Sequence, residues 1–227
     1  MGAWISSIFE SFLGTTMEIA VVGLDNAGKS TLVSGLMSGT GRPTVSDPLP
    51  TIGLSVNTFK KGSVTIKAWD LAGQEACRAA WGRYTKGVDI ILFVVDVTDE
   101  ARLGDARREL HRLLEDRALA TTPLLIAANK IDVTPHISER DLITGLNLDC
   151  IMEQPWVVVP VSAKFGSNVE AVMDWLIKQK KGEAAAAAAT ATRSGGIIGG
   201  GGSGAAGGAG GAPVGGIGYG SAAGGLA

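Results

Sequence analysis

The stretch Gly23-Leu24-Asp25-Asn26-Ala27-Gly28-Lys29-Ser30 constrains this chain more than any other, because it fits G-x-x-x-x-G-K-[ST]. It follows the apolar run MEIAVVG (17–23) and opens a helical pattern over 29–37. In isolation a glycine-rich turn would mean little. Between a strand and a helix it predicts a phosphate cradle. Gly23 and Gly28 let the backbone curl so that successive N–H groups, through Asp25, Asn26, Ala27 and Gly28, face one point. The helix N-terminus adds positive potential. Lys29 reaches the β- and γ-phosphates, the Ser30 hydroxyl ligates Mg²⁺, and Thr31 follows in the same turn.

The rest of the body alternates strand-like and helix-like segments. LSVNTFK (54–60) and SVTIKAWD (63–70) alternate apolar with polar residues and join through Lys61-Gly62, which predicts a hairpin. DIILFVVD (89–96), PLLIAAN (123–129) and WVVVPVS (156–162) are continuous apolar runs, as buried parallel strands are. Over 101–117, Leu103, Ala106, Leu110, Leu113 and Leu114 share one helical face. Over 168–180, Val169, Val172, Met173, Leu176 and Ile177 do the same, with Asn168 as the expected N-cap. These patterns predict an α/β domain over 17–182: a mostly parallel six-stranded sheet with helices on both faces.

Four further segments carry chemistry. Asp70-Leu71-Ala72-Gly73-Gln74-Glu75 ends an alternating strand. Asp70 there can hold the Mg²⁺ shell through water, Gly73 can bring its N–H to a γ-phosphate, and Gln74 can orient an attacking water. Asn129-Lys130-Ile131-Asp132 follows a buried strand. The Asp132 carboxylate can accept from guanine N1–H and its exocyclic amine, a donor pair that adenine lacks. Asn129 would brace the loop and Lys130 would lie over the base. Ser162-Ala163-Lys164 follows the last strand and offers the Ala163 N–H to guanine O6. Pro50-Thr51-Ile52-Gly53 reads either as a plain turn or as a loop whose Thr51 completes Mg²⁺ coordination when a γ-phosphate is present.

Composition divides the chain. Residues 183–227 hold 17 of its 33 glycines and carry only Glu183 and Arg193 as charges. The first 182 residues therefore hold 19 of the 20 basic and 21 of the 22 acidic side chains, enough chain for one core. A formal charge of −2 excludes duplex nucleic acid as the main partner. The tail is expected to be a disordered, low-complexity segment, with its six-alanine run extending the last helix briefly. No run is long enough to span a membrane. Two cysteines make no disulfide framework, and His111 and His136 stand apart, so no histidine metal site is expected. Arg78 and Arg83 read as solvated or partner-facing. In the leader, 1–16, Trp4, Ile5, Ile8, Phe9, Phe12 and Leu13 share one helical face. That face suits either packing on the body or an interfacial membrane anchor. Gly2 with Ser6 fits M-G-x-x-x-[ST], the N-myristoylation pattern.

With these motifs in order, the chain resembles the small GTPases with the phosphate-loop NTPase fold, most of all the Arf and Arf-like branch. GLDNAGKST, PTIG and the Trp69-Asp70 pair carry that resemblance, together with the amphipathic leader. KGSVTIKAWD, RRELHRLLED and DWLIKQKK look most like the Arf-like subgroup known for lysosome positioning. The resemblance implies a monomeric GTP/GDP switch that needs Mg²⁺ and hydrolyses GTP slowly without an activating protein. Gln74 and Lys29 would be its catalytic residues. It also implies an exchange factor, effectors and reversible attachment of a cytoplasmic protein to endomembranes, lysosomal or Golgi, through the leader. The family's aromatic effector triad maps to Leu54, Trp69 and Tyr84, so leucine replaces one aromatic. Ala72 stands where the family has the first of two glycines, which makes backbone flips there costlier. Many Arf proteins carry myristate while the lysosomal subgroup typically does not, so the two signals at Gly2 pull apart. The alternative function is a GTP-gated scaffold without significant hydrolysis. An ATP-using enzyme is opposed by Asp132.

Overall fold

The computed structural model describes residues 15–44 and 49–194. Strands β1 (Thr15–Val22), β2 (Leu54–Lys61), β3 (Val64–Leu71), β4 (Ile90–Asp96), β5 (Leu124–Asn129) and β6 (Trp156–Val161) form one sheet. Their spatial order is β2-β3-β1-β4-β5-β6. β2 pairs antiparallel with β3, and all other pairs are parallel. The helices are α1 (Lys29–Ser38), the short α2 (Glu75–Arg78) and α3 (Trp81–Tyr84), α4 (Leu103–Leu114), α5 (Glu139–Leu146) and α6 (Val169–Ser194).

The apolar runs explain the layering. β5 is buried along its whole length and β4 up to Asp96, as strands covered on both faces must be. On one face Leu32, Val33 and Leu36 of α1 pack with Val172, Met173 and Leu176 of α6 over Met17, Ile19, Val21 and Leu92. On the other, Ala106, Leu110 and Leu113 of α4 and Leu142 and Leu146 of α5 cover Ala20, Val22, Phe93 and Ile126. β1 lies between β3 and β4, so the chain leaves it toward one side and later returns on the other. The C-terminal ends of β1, β3, β4, β5 and β6 consequently open onto one edge, where doubly wound folds bind ligands.

Several details depart from the sequence reading. The single helix expected over 101–117 is split. Asp99 accepts a bond from the Arg102 N–H and Asp116 from the Ala118 N–H, and each starts a 3₁₀ turn, at Glu100–Arg102 and Arg117–Leu119. The sequence pattern gives no clear signal for α5. Ser138 caps it by accepting from the Asp141 N–H, and Asn147 ends it in the left-handed region. Asn168 does not cap α6 through its side chain as expected. It sits at φ 59°, and its amide donates to the Pro160 carbonyl at 2.8 Å, tying the helix start to the end of β6. α6 continues through the alanine run to Ser194, in keeping with alanine's helix preference. β1 begins at Thr15, within the leader as first delimited. The rest of the leader, with Gly2, and residues 195–227 lie outside the described residues. Among the described residues no helix is long and apolar enough to cross a membrane.

Phe93 is fully buried and meets Trp81 edge-on, with ring centroids 6.4 Å apart. Phe93→Ala should lower unfolding free energy by about 3–5 kcal/mol, read as a reduced urea midpoint with unchanged slope.

Candidate functional site

The loop after β1 is held in a shape that its glycines permit. Gly23 has φ 139° and Gly28, at the start of α1, has φ 89°. A Cβ on Gly23 would stand 2.2 Å from the Val94 carbonyl oxygen, and one on Gly28 would stand 2.2 Å from Asn129 Nδ2. Neither position admits a side chain. Gly73 is as tightly placed: its Cβ would fall 2.3–2.5 Å from backbone atoms of Gly23, Leu24 and Asp25. The second motif therefore rests directly on the first.

The loop borders a cleft of about 760 Å³ lined by Asp25, Asn26, Gly28, Lys29, Ser30 and Thr31 on one side. Pro50, Thr51, Gly73 and Gln74 line a second wall, and Asn129, Lys130, Asp132, Ala163 and Lys164 a third. Its size suits a small-molecule ligand. All five sequence motifs thus converge on one cavity. Gly23, Ala27 and Ser162 stand behind its surface.

At the foot of the cleft three oxygens converge. Ser30 Oγ donates to Asp70 Oδ2 at 2.5 Å, and Thr51 Oγ1 lies 2.7 Å from Ser30 Oγ and 3.3 Å from Asp70 Oδ2. Asp70 Oδ1 is buried without a hydrogen-bond partner among the described residues. Burial pushes the Asp70 carboxyl above its ordinary range, against the opposing Ser30 bond and the nearby Lys29 charge. Two hydroxyls and a carboxylate whose second oxygen is buried and unsatisfied form a hard-oxygen donor set, which fits Mg²⁺. Lys29 Nζ donates to the Gly23 and Leu24 carbonyls at 3.0 and 2.7 Å. Burial lowers its pKa from 10.5 to about 8, outweighing attraction by Asp70 and Asp25.

The far wall is a network of side chains. Asn129 Nδ2 donates to the Ala27 carbonyl at 2.8 Å, while its Oδ1 accepts from the Ala163 N–H at 2.9 Å. Ser162 Oγ donates to Asp132 Oδ1 at 2.5 Å, so this serine holds Asp132 in place. Lys130 sits at φ 76° and pairs with Asp96 Oδ2 at 2.5 Å. Burial raises the Asp96 carboxyl, but the Lys130 and Thr98 hydrogen bonds outweigh it and hold the group below the ordinary range. Asp96 was missed in the sequence, although an acidic residue closing a run of six apolar ones was a readable signal.

Away from the cleft, Trp69 and Tyr84 stack tilted, with centroids 6.2 Å apart, and Leu54 packs at the edge of the same cluster. Leu49 and Ile52, flanking Thr51, are 88% and 95% exposed. Gln74 is exposed at the start of α2. Arg83 is exposed as expected, but Arg78 is not solvated: its side chain is 11% exposed and contacts Gly73, Asp25 and Glu109. Ala72 is buried, its N–H donating to the Gly53 carbonyl at 2.9 Å and its carbonyl accepting from the Trp81 indole at 3.0 Å.

The family model described as the ADP-ribosylation factor family matches residues 5–180. The chain belongs to this family. It is 38% identical over 178 residues to ADP-ribosylation factor-like protein 8c of Arabidopsis thaliana, covering 78% of this chain and 94% of that one. It is 37% identical to protein 8b of the same plant over the same shares. Among solved structures it is similar to the Arl6/BBS3 small GTPase from Trypanosoma brucei with the bound nucleotide analogue GppNp. There the TM-score is 0.65 at 28% identity, covering 72% of this chain and 96% of that one. As an Arf-like small GTPase the chain is a GTP-binding switch that hydrolyses GTP and acts in membrane trafficking through regulators and effectors.

The depressed Lys29 pKa has a signed consequence for this Arf-like protein. With a folded value near 8 and an unfolded value of 10.5, the charged lysine opposes folding fully below pH 8, and this penalty fades as pH rises to 10.5. In nucleotide-stripped protein, Lys29→Met should raise Tm relative to wild type at pH 7. The advantage should shrink toward pH 10, as thermal melts across that range would show.

Proposed function

We propose that the cleft holds GTP or GDP with the phosphates over the 23–31 loop and the base against Asn129, Lys130, Asp132 and Ala163. The convergence of Ser30, Thr51 and Asp70 within 2.5–3.3 Å carries this reading, because it joins three separate motifs at one point. Backbone N–H groups from Asp25 to Lys29 meet the phosphates, and Lys29 leaves its two carbonyl partners for the β- and γ-phosphates. Asp132, steadied by Ser162, accepts from the two guanine donors, and Lys130, steadied by Asp96, lies along the base. Lys164 closes the same wall. Ser30 and Thr51 would hold Mg²⁺ directly and Asp70 through water. When bound, the ion offsets charge on the β- and γ-oxygens. Gln74 orients the attacking water, and the Gly73 N–H stabilises charge growing on the transferred phosphoryl group.

In this reading Thr51 and Gly73 are the two points that sense the γ-phosphate. Their release on hydrolysis alters the exposed Leu49–Ile52 segment and the Leu54–Trp69–Tyr84 cluster that would meet effectors. Gly2 and the apolar face of 1–16 are proposed to supply the membrane contact, on endomembranes of the lysosomal or Golgi kind. The stretches KGSVTIKAWD, RRELHRLLED and DWLIKQKK, which resemble the lysosome-positioning subgroup, favour the former. Deleting 1–14 should abolish GTP-dependent liposome binding and leave nucleotide binding intact.

Single-turnover hydrolysis with guanine and adenine nucleotides tests the core of this function. Wild type should bind guanine nucleotides alone and turn GTP over slowly, and Gln74→Leu should slow that step roughly tenfold or more. Unchanged turnover in the variant would leave a GTP-gated scaffold. Equal binding of adenine nucleotides would remove the assigned role of Asp132.

A further inference from the structure

The part-buried Arg78 is left unexplained by nucleotide contacts alone. We propose that it is a positioning residue, a latch that fixes the Gly73–Gln74 peptide against the phosphate cradle and α4. This rests on the cleft being the guanine-nucleotide site argued above.

The guanidinium makes three contacts to three separate segments. Nε donates to the Gly73 carbonyl at 2.8 Å. One terminal nitrogen lies 3.4 Å from Asp25 Oδ1 in the cradle loop, and the other lies 3.5 Å from Glu109 Oε1 on α4. Asp25 is itself held from the other side by Arg102, 3.3 Å away, and Arg102 is anchored on Asp99 at 2.6 Å. Arg78 and Glu109 side chains are both 11% exposed, so neither charge is left to bulk water.

The Gly73 carbonyl and the Gln74 N–H belong to one planar peptide unit. Pinning that oxygen fixes the plane from which the Gln74 side chain departs. The flanking peptides are held by the Trp81 indole on the Ala72 carbonyl and by the Cys77 N–H on the Gln74 carbonyl, while the carbonyl of the Gly73–Gln74 peptide itself is met by Arg78. α2 spans four residues and buries none of them, and Gln74, Glu75 and Ala76 are exposed. Gly73 is pressed against the backbone of Leu24 and Asp25, but this contact has no side chain to lock it. The planar fork of arginine can serve a carbonyl and two carboxylates at once, whereas a lysine ammonium cannot span all three. The latch therefore favours the closed loop, in which the Gly73 N–H faces a γ-phosphate, over any arrangement in which the loop lifts away.

The test uses the full chain, stripped of nucleotide. Affinities for GDP and for a non-hydrolysable GTP analogue are measured alongside single-turnover GTP hydrolysis. Arg78→Ala should weaken the analogue about tenfold more than GDP, a difference of about 1.4 kcal/mol, and should slow hydrolysis. Glu109→Gln should shift the same ratio in the same direction, and Arg78→Lys should not restore it. The double variant should be no worse than Arg78→Ala alone, since both changes break one unit. Equal loss of GDP and analogue affinity, no loss of either, or additive effects would each overturn the latch and leave a structural brace. Failure of wild type to bind either guanine nucleotide would overturn the underlying cleft reading instead.

Discussion

One buried side-chain amide organises this molecule's binding edge. Asn129 ends β5, donates to the Ala27 carbonyl in the cradle and accepts from the Ala163 N–H beyond β6. Three loops that share no sequence continuity are thereby set at fixed distances. The requirement for glycine at position 28 follows from the same contact, because any Cβ there would strike the amide nitrogen. A buried network of this kind specifies geometry only when every member is satisfied, and here both ends of the amide are.

Around that anchor the site holds its charges at a cost. Lys29 is buried against carbonyls with a depressed pKa, and Asp70 is buried with one oxygen unsatisfied and a raised pKa. Each charge would be better stabilised by what the neighbouring groups suit: an anion for the lysine, a cation for the carboxylate. Strain stored this way marks ligand sites, since bound phosphate and metal relieve it while folding alone does not. The Lys130–Asp96 and Asp132–Ser162 pairs show the opposite design, polar groups already locked by their partners. The phosphate end thus gains most from its ligand, and the base end is set in advance.

Most of this was legible in the residues because the signals were local. Continuous apolar runs marked β4, β5 and β6, alternation marked β2 and β3, and five short motifs marked the cleft. What escaped was tertiary. Arg78 read as a solvated cation because its partners Asp25 and Glu109 lie 53 and 31 positions away, and nothing near it in sequence announces them. Asn168 read as a cap because asparagine before an apolar stripe usually is one, but the carbonyl of Pro160 competed for its amide. α5 escaped because eight residues with Gly145 near the end give a weak periodic signal. A Cβ on that glycine would stand 2.4 Å from the end of the Leu103 side chain, which would have to shift.

Selection of guanine is assigned to the Asp132 carboxylate, which would accept from both donors of that base. Nucleotide competition by Asp132→Asn protein, comparing guanosine with xanthosine diphosphate, tests that claim most directly. Xanthine carries a carbonyl where guanine carries its amine, so an amide donor at 132 should reverse the preference. The expected result is weakened guanosine diphosphate binding and a gain for xanthosine diphosphate of roughly tenfold or more. An unchanged preference for guanosine diphosphate would contradict it, and recognition of the base would then have to lie elsewhere in the cleft.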